Sequence, residues 1–305
     1  MKKLIDLHHH LETLQEVFQF RSKVQHHLIS LKGHIRDNHK TIISVAMYVQ
    51  FYQSYDDLID LIRNFRNEVI ALEEVKLIET HEDLDDDFKL GIILHIESGR
   101  TFENVDEQIP EVFELGVRGI IPVHFHDNKI GVSCDAIKRR FWLDRKDPGL
   151  SEYGQHFVAL CNKHHLWLDL AHCTDKTAQD ILNFANHSMV SHVAIRDLVD
   201  WKRNFPIKFF KKLQEKQGVF GITPWQHLIG DKADAYQYQI QFALEHELEN
   251  SLCIGSDFGA PIATHENYRS IFDLEKAVED LDPQIAQKIK WNNAYQFLKR
   301  SLPSA

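Results

Sequence analysis

The sequence predicts an α/β fold, a closed (β/α)8 barrel, on three observations. Strand-like and helix-like segments alternate along the whole chain, and eight strands can be counted. Eight strands separated by helices imply parallel pairing with right-handed crossovers, which suits a closed barrel. No glycine-rich phosphate loop follows the first strand, as an open doubly wound sheet would normally carry there. No low-complexity tract or Pro/Gly/Ser linker divides the chain, so residues 1–305 read as a single domain of a length that α/β barrels commonly occupy.

The first strand, residues 3–8, is an apolar run (Leu4, Ile5, Leu7) that ends in His8-His9-His10. Side chains alternate along a strand, so His8 and His10 share a face while His9 points away. The ~3.3 Å rise per residue sets the pair about 7 Å apart along the strand, close enough for two imidazoles to converge on one metal ion. The next strands are read at 41–49, 90–97, 119–124, 166–172, 189–192, 218–223 and 251–257. Amphipathic helical stretches lie between them at 58–71, 105–115, 152–164, 177–185, 207–216 and 233–246. The longest irregular insertion, 125–151, follows the fourth strand. An insertion of that length is expected to be functional or disordered, and here it would lie over the C-terminal mouth of the barrel, where it could act as a wall or lid.

Composition narrows the partners. Hydrophobic residues make up 43% and charged residues 26%, which fits a soluble protein with a full core. A net charge of −10 argues against non-specific binding to nucleic acid or to an anionic membrane, since both need clustered Lys and Arg. The short run Lys138-Arg139-Arg140 reads as a solvated loop. No apolar run approaches a membrane span, and histidines cut the apolar stretch after Leu7 too early for a cleavable signal. Cys134, Cys161, Cys173 and Cys253 form no C-x-x-C pair and read as reduced thiols, which fits a cytoplasmic location. The expected partner is a small-molecule or dipeptide substrate, and the sequence leaves homo-oligomerisation open.

Polar residues recur at the C-terminal ends of the strands, where barrel active sites form. They are His8 and His10 on the first strand, Glu97 on the third, His124 on the fourth, His172 on the fifth, His192 on the sixth and Asp257 on the eighth. Imidazole and carboxylate ligands suit zinc or a similar divalent ion, and a carboxylate can bridge two ions. Grouped imidazoles and carboxylates are costly to desolvate without a metal or protons, so one or two divalent ions are expected. Several other residues have weaker claims. His95 shares a face with Glu97 and reads either as a neighbour of the ligands or as core. Cys173 should point away from the metal. His126, His164, His165 and His187 read as surface or loop residues, and Trp201 and Trp225 as pocket walls or simply buried rings.

Taken in order, several blocks of this chain resemble the membrane (renal) dipeptidase family, metal-dependent peptidases of the amidohydrolase superfamily of TIM barrels. Gly149-Leu150-Ser151-Glu152-Tyr153-Gly154 resembles its Gly-Leu-Thr-x-x-Gly helix start, and Asp169-Leu170-Ala171-His172 its Asp-Leu-Ser-His. Ser191-His192-Val193-Ala194-Ile195-Arg196-Asp197-Leu198 resembles Ser-His-Ser-Asn-Ala-Arg-x-Leu, and Arg203-Asn204-Phe205-Pro206 and Gly255-Ser256-Asp257-Phe258 match two further blocks. The resemblance implies that His8 and His10 hold one metal, Glu97 bridges, and His172 and His192 hold the second. It implies that Asp257 lies beside the metal-bound water, that His124 faces the substrate carbonyl, and that Arg203 grips a terminal carboxylate. Two departures stand out. The first strand carries His-x-His where the family usually has His-x-Asp, and Ser-Asp-Phe-Gly-Ala replaces Ser-Asp-Phe-Asp-Gly. The function so implied is a zinc-dependent hydrolase cleaving dipeptides or similar small amides through a metal-activated water. A lactonase, deaminase or phosphoesterase-type hydrolase on the same scaffold is the alternative, because His-x-His on the first strand is common among those enzymes.

Overall fold

The computed structural model describes residues 1–10, 33–48, 52–135, 147–260 and 264–305. Within them nine strands form one parallel sheet: β1 (Lys2–His9), β2 (His39–Met47), β3 (Val75–Leu77), β4 (Leu90–Glu97), β5 (Val117–Ile121), β6 (Trp167–Asp169), β7 (Ser188–Val193), β8 (Val219–Ile222) and β9 (Leu252–Ile254). Eight of these close into a barrel. Pairing runs β1-β2-β4-β5-β6-β7-β8-β9, and β9 returns to β1 through Asp6 and Ile254. The predicted (β/α)8 architecture is therefore the one observed, and the open doubly wound sheet is not. The extra strand β3 pairs with the first half of β4, from Val75–Leu90 to Leu77–Ile92, and β5 takes over from Leu94 onward. Three residues are too few to carry a readable alternation, and the sequence reading did not include this strand.

Around the barrel lie α1 (Tyr55–Val69), α2 (Val105–Glu114), α3 (Glu152–Lys163), α4 (Asp175–Phe184), α5 (Ile207–Glu215), α6 (Gln226–Ile229), α7 (Ala235–Glu245), α8 (Ile271–Ala277), α9 (Pro283–Gln287) and α10 (Asn293–Ser301). Several begin where a hydroxyl meets an orphan amide. Ser54 and Asp57 form a capping box on α1, Ser151 accepts from the Gly154 amide on α3, and Thr174 accepts from Thr177 on α4. In α1 the buried residues Leu58, Ile62, Phe65 and Val69 fall four, three and four apart, the stripe a helix needs to lie on a sheet.

The barrel interior is layered. Its lower part is apolar: Ile5, Leu7, Ile42, Ile93, Trp167, Met189, Val219 and Cys253 pack together, with Phe88, Trp291 and Phe297 in the same cluster. Strand β5 offers Gly119 here, and a Cβ on it would overlap the Trp167 indole, so the glycine makes room for the largest ring in the core. Above this comes a polar layer of Ser44, His95, Asp169 and Ser191, all buried. The predicted site residues lie above that.

Strand ends differ from expectation in one consistent way. The sequence reading ran three strands out to His124, His172 and Asp257, whereas β5, β6 and β9 stop at Ile121, Asp169 and Ile254. The chain turns there, with positive φ at Phe125 (48°), His172 (66°) and Asp257 (56°). Left-handed backbone is costly for a side-chain-bearing residue and clusters at functional sites. A residue so turned can project over the barrel mouth, which straight continuation of a strand would not allow. The segment 136–146, the centre of the predicted insertion and the site of Lys138-Arg139-Arg140, lies outside the described residues.

Candidate active site

Glu97, the last residue of β4, is the hub. Its Oε2 lies 3.2 Å from His10 Nε2, while its Oε1 lies 3.6 Å from His8 Nε2 and 3.5 Å from the Nε2 atoms of both His124 and His172. His8 and His10 converge as predicted, with their Nε2 atoms 3.2 Å apart. A register irregularity between Asp6 and His9, where β1 passes β2, accompanies this convergence. Asp257 Oδ1 stands 3.4 Å from His10 Nε2 and 3.7 Å from His8 Nε2. On the other side of the hub, His172 Nε2 and His192 Nε2 face each other at 3.0 Å.

These spacings fit a metal. Two ligands at 2.0–2.1 Å from a tetrahedral zinc are about 3.4 Å from each other, and every distance above falls near that value. Ring nitrogens that face at 3.0–3.2 Å in a buried site would repel if both were protonated. They are the natural arrangement when both lone pairs point at one cation. Groups of three ligand atoms close enough for one ion include His8–His10–Asp257, His8–Glu97–His192 and Glu97–His124–His172. All five predicted ligands, together with His124 and Asp257, are thus brought together, with His10 on one oxygen of Glu97 and His8, His124 and His172 on the other.

Electrostatics point the same way. Burial pushes His8 and His192 well below the usual histidine range and His124 down to about 3, so these rings are neutral near pH 7. His8 and His124 therefore meet Glu97 as polar partners. Burial works to raise the Glu97 carboxyl, but His124, His10, His172 and His8 together hold it well below the usual range, and it is ionised. Burial keeps the Asp257 carboxyl above its ordinary value. Burial and Arg203 press His172 down, yet hydrogen bonds to Asp135 and Glu97 outweigh them and raise it. Neutral His8, His124 and His192 beside an ionised Glu97 are the protonation states that metal binding requires.

Neighbours fix the ring orientations. Ser191 Oγ meets His192 Nδ1 at 2.7 Å, which turns Nε2 toward His172. His172 Nδ1 lies 2.5 Å from Asp135 Oδ2. His9 faces away as predicted, against Asp6 Oδ2 and Ser256 Oγ at 3.2 and 3.3 Å. His95 takes its place in the polar layer, with Nε2 3.3 Å from Asp169 Oδ2 and Nδ1 3.3 Å from Ser44 Oγ, its ring edge-on to His8. Cys173 is buried in the apolar core, as predicted. Trp201 is 46% exposed, so of its two readings burial does not hold.

Arg203 lies in the segment between β7 and α5 and is only 2% exposed. Its Nη2 donates to the His192 carbonyl at 3.1 Å, and its Nε stands 3.7 Å from Asp135. Nη1 and Nε are buried without a hydrogen-bond partner. An unmatched buried guanidinium is expensive unless an anion completes it. Asp135 was missed by sequence reasoning. The insertion that carries it is expected over the barrel mouth, but nothing in the sequence connects Asp135 to His172, thirty-seven residues on.

A (β/α)8 barrel whose mouth gathers imidazoles and carboxylates around Glu97 has the ligand chemistry of a divalent-metal site. The chain belongs to the membrane dipeptidase family (peptidase family M19), whose model matches residues 2–301. That membership implies a divalent metal, and the cluster around Glu97 is the candidate place for it. The mouse protein Dipeptidase 3 is 24% identical over 166 residues, which are 54% of this chain and 33% of that protein. The chain thus spans about a third of the length of the curated relatives it first matches. Among solved structures, a metallopeptidase from Rhodobacter sphaeroides bound to a phosphinate mimic of the dipeptide L-Ala-D-Ala superposes with a TM-score of 0.80 at 15% identity, covering 98% of this chain and 99% of that one. An M19 dipeptidase described as a metallopeptidase gives 0.78 at 16% identity, covering 99% of each chain. At such identities the likeness establishes the fold. Among the described residues, no helix is long and apolar enough to cross a membrane.

Proposed function

We propose that this chain, as one domain spanning residues 1–305, is a zinc-dependent hydrolase that cleaves dipeptides or similar small amides. The observation that carries the reading is the buried ring around Glu97, with the incompletely bonded Arg203 next to it. In this reading His8 and His10 hold one ion, His172 and His192 hold a second, and Glu97 lies between them. A divalent ion so held acts as a Lewis acid and makes water a nucleophile near neutral pH.

The chain's own groups supply the rest. Arg203 takes the free carboxylate of the substrate on its open Nη1 edge, a match of planar fork to planar anion. His124, neutral at pH 7, donates a hydrogen bond to the scissile carbonyl oxygen as charge builds there. Water oxygen bonds to the carbonyl carbon and the C–N bond breaks. Asp257 accepts the water's proton and delivers it to the departing amine, a task suited to a carboxyl whose burial raises its pKa. The four free thiols, three of them buried, support a reducing, cytoplasmic setting.

Metal analysis of the purified protein, combined with a screen of dipeptides, N-acyl amino acids and lactones, tests the proposal. Stoichiometric zinc and turnover confined to free dipeptides are expected. Preferential lactone turnover would instead favour the second reading, which rests on His10 standing where the family usually has aspartate. Absence of bound divalent metal after reconstitution would refute both.

A further inference from the structure

The insertion after β5 is stitched to the turn that carries His172. The Cys134 amide donates to the His172 carbonyl at 2.9 Å and the Thr174 amide to the Val132 carbonyl at 3.1 Å, with Ser133 bridged to Cys173 in antiparallel fashion. The strap is anchored from both sides. Val132 donates to Thr177 Oγ1 at 3.2 Å and Ser133 to Asp127 Oδ1 at 2.9 Å. Its last described residue, Asp135, has its own amide on Ser133 Oγ at 3.2 Å. The strap therefore fixes where the Asp135 carboxylate sits. One oxygen, Oδ2, meets both His172 Nδ1 at 2.5 Å and Arg203 Nε at 3.7 Å.

We infer that Asp135 is a positioning residue that joins the metal-facing His172 to the substrate-facing Arg203. By accepting the proton on His172 Nδ1, Asp135 leaves the Nε2 lone pair directed at Glu97 and His192, the tautomer in which the ring can bind a cation. Carboxylates that hold a ligand histidine in this manner tune metal affinity, and removing one typically costs about 10- to 100-fold. The same carboxylate supplies the counter-charge for Arg203, whose burial would otherwise be uncompensated. The strap thus makes the metal centre depend on a segment that contributes no ligand of its own. This inference rests on the metallohydrolase reading and adds a residue to it.

The test is zinc affinity by chelator competition on the full chain, for wild type, Asp135→Ala and Asp135→Asn. Melting of the metal-free proteins is followed in parallel. Asp135→Ala should bind zinc about 10- to 100-fold more weakly. Asp135→Asn should recover most of that loss, because its amide oxygen still accepts the Nδ1 proton. Cobalt substituted for zinc should give altered visible bands in the alanine variant and near-native bands in the asparagine variant. If alanine prevents folding, the near-isosteric asparagine variant carries the comparison with wild type, and a loss of affinity as large as about 10-fold there would overturn the hydrogen-bond role. Wild-type zinc affinity in Asp135→Ala would overturn the inference and leave the metallohydrolase reading standing. A wild type that binds no divalent ion would overturn that reading and this inference with it.

Discussion

At the scale of single residues, Glu97 and Arg203 make opposite demands on their surroundings. Glu97 is held ionised against its burial by the histidines around it, His10 at one oxygen and His8, His124 and His172 at the other. If two ions bind as proposed, Glu97→Ala should lower metal content and hydrolysis together, since they would then face each other unshielded. Full metal occupancy with normal turnover in that variant would exclude the bridging role. Arg203 carries donors with no partner, which a substrate carboxylate would complete. A charge-assisted bidentate contact is worth roughly 2–3 kcal/mol, so Arg203→Ala should lose about 30- to 150-fold in kcat/KM on free dipeptides. Lysine should restore activity only partly, as a point charge without the planar fork. Amidating the substrate's C-terminus should harm the wild type strongly and the alanine variant little. Equal sensitivity of the two proteins would end the carboxylate-grip idea.

At the scale of elements, the site depends on how closely β7, β8 and β9 approach one another. Gly255 follows β9 and precedes Asp257 by two residues. A Cβ on it would fall on the Ser191 carbonyl and crowd Gly221, so no side chain fits between the strand that carries His192 and the segment that leads to Asp257. Overpacking of this kind costs about 1–3 kcal/mol, and backbone cannot move aside as a flexible side chain can. Gly255→Ala should therefore lower the urea midpoint without changing the m-value, and should weaken zinc binding by spreading the ligands. An unchanged midpoint would contradict the close approach. The strap that carries Asp135 belongs to the same scale, because it is the pairing of Val132–Cys134 with His172–Thr174 that places the carboxylate.

For the whole molecule, the buried histidines link folding to pH. Burial lowers His8 and His192 strongly, and His34 and His124 to about 3, against an ordinary value of 6.5. Below pH 6.5 the unfolded chain takes up protons that these folded-state rings refuse. Their contribution is therefore fully present above pH 6.5 and is lost as pH falls toward 3, at up to about 1.4 kcal/mol per pH unit for each ring. His172, raised by Asp135 and Glu97, acts in the opposite sense and softens the loss. Melting of the metal-free protein from pH 8 to 4 should show a falling Tm below about pH 6.5, set by that ordinary value. Zinc at a thousand times its Kd should add about 4 kcal/mol near neutral pH, and the gain should shrink on acidification because the ligands must be deprotonated. A zinc-induced shift in Tm that does not vary with pH would place the ion elsewhere.

The barrel was legible in the sequence because alternating apolar strands and amphipathic helices are local patterns, and eight parallel strands have few ways to close. The candidate ligand set was legible because His8, His10, Glu97 and His192 lie on or directly beyond strands, where strand periodicity sets a side chain's face. The resemblance to known blocks suggested the roles proposed for His124, Arg203 and Asp257. The structure decided what local patterns cannot encode. Left-handed turns at His172 and Asp257 redirect their side chains after the strands have ended. Packing, not sequence position, buries Arg203 and leaves its donors open. The carboxylate of Asp135 meets His172 only because the strap folds back across the mouth, and contacts so distant along the chain leave no trace in the spacing of residues.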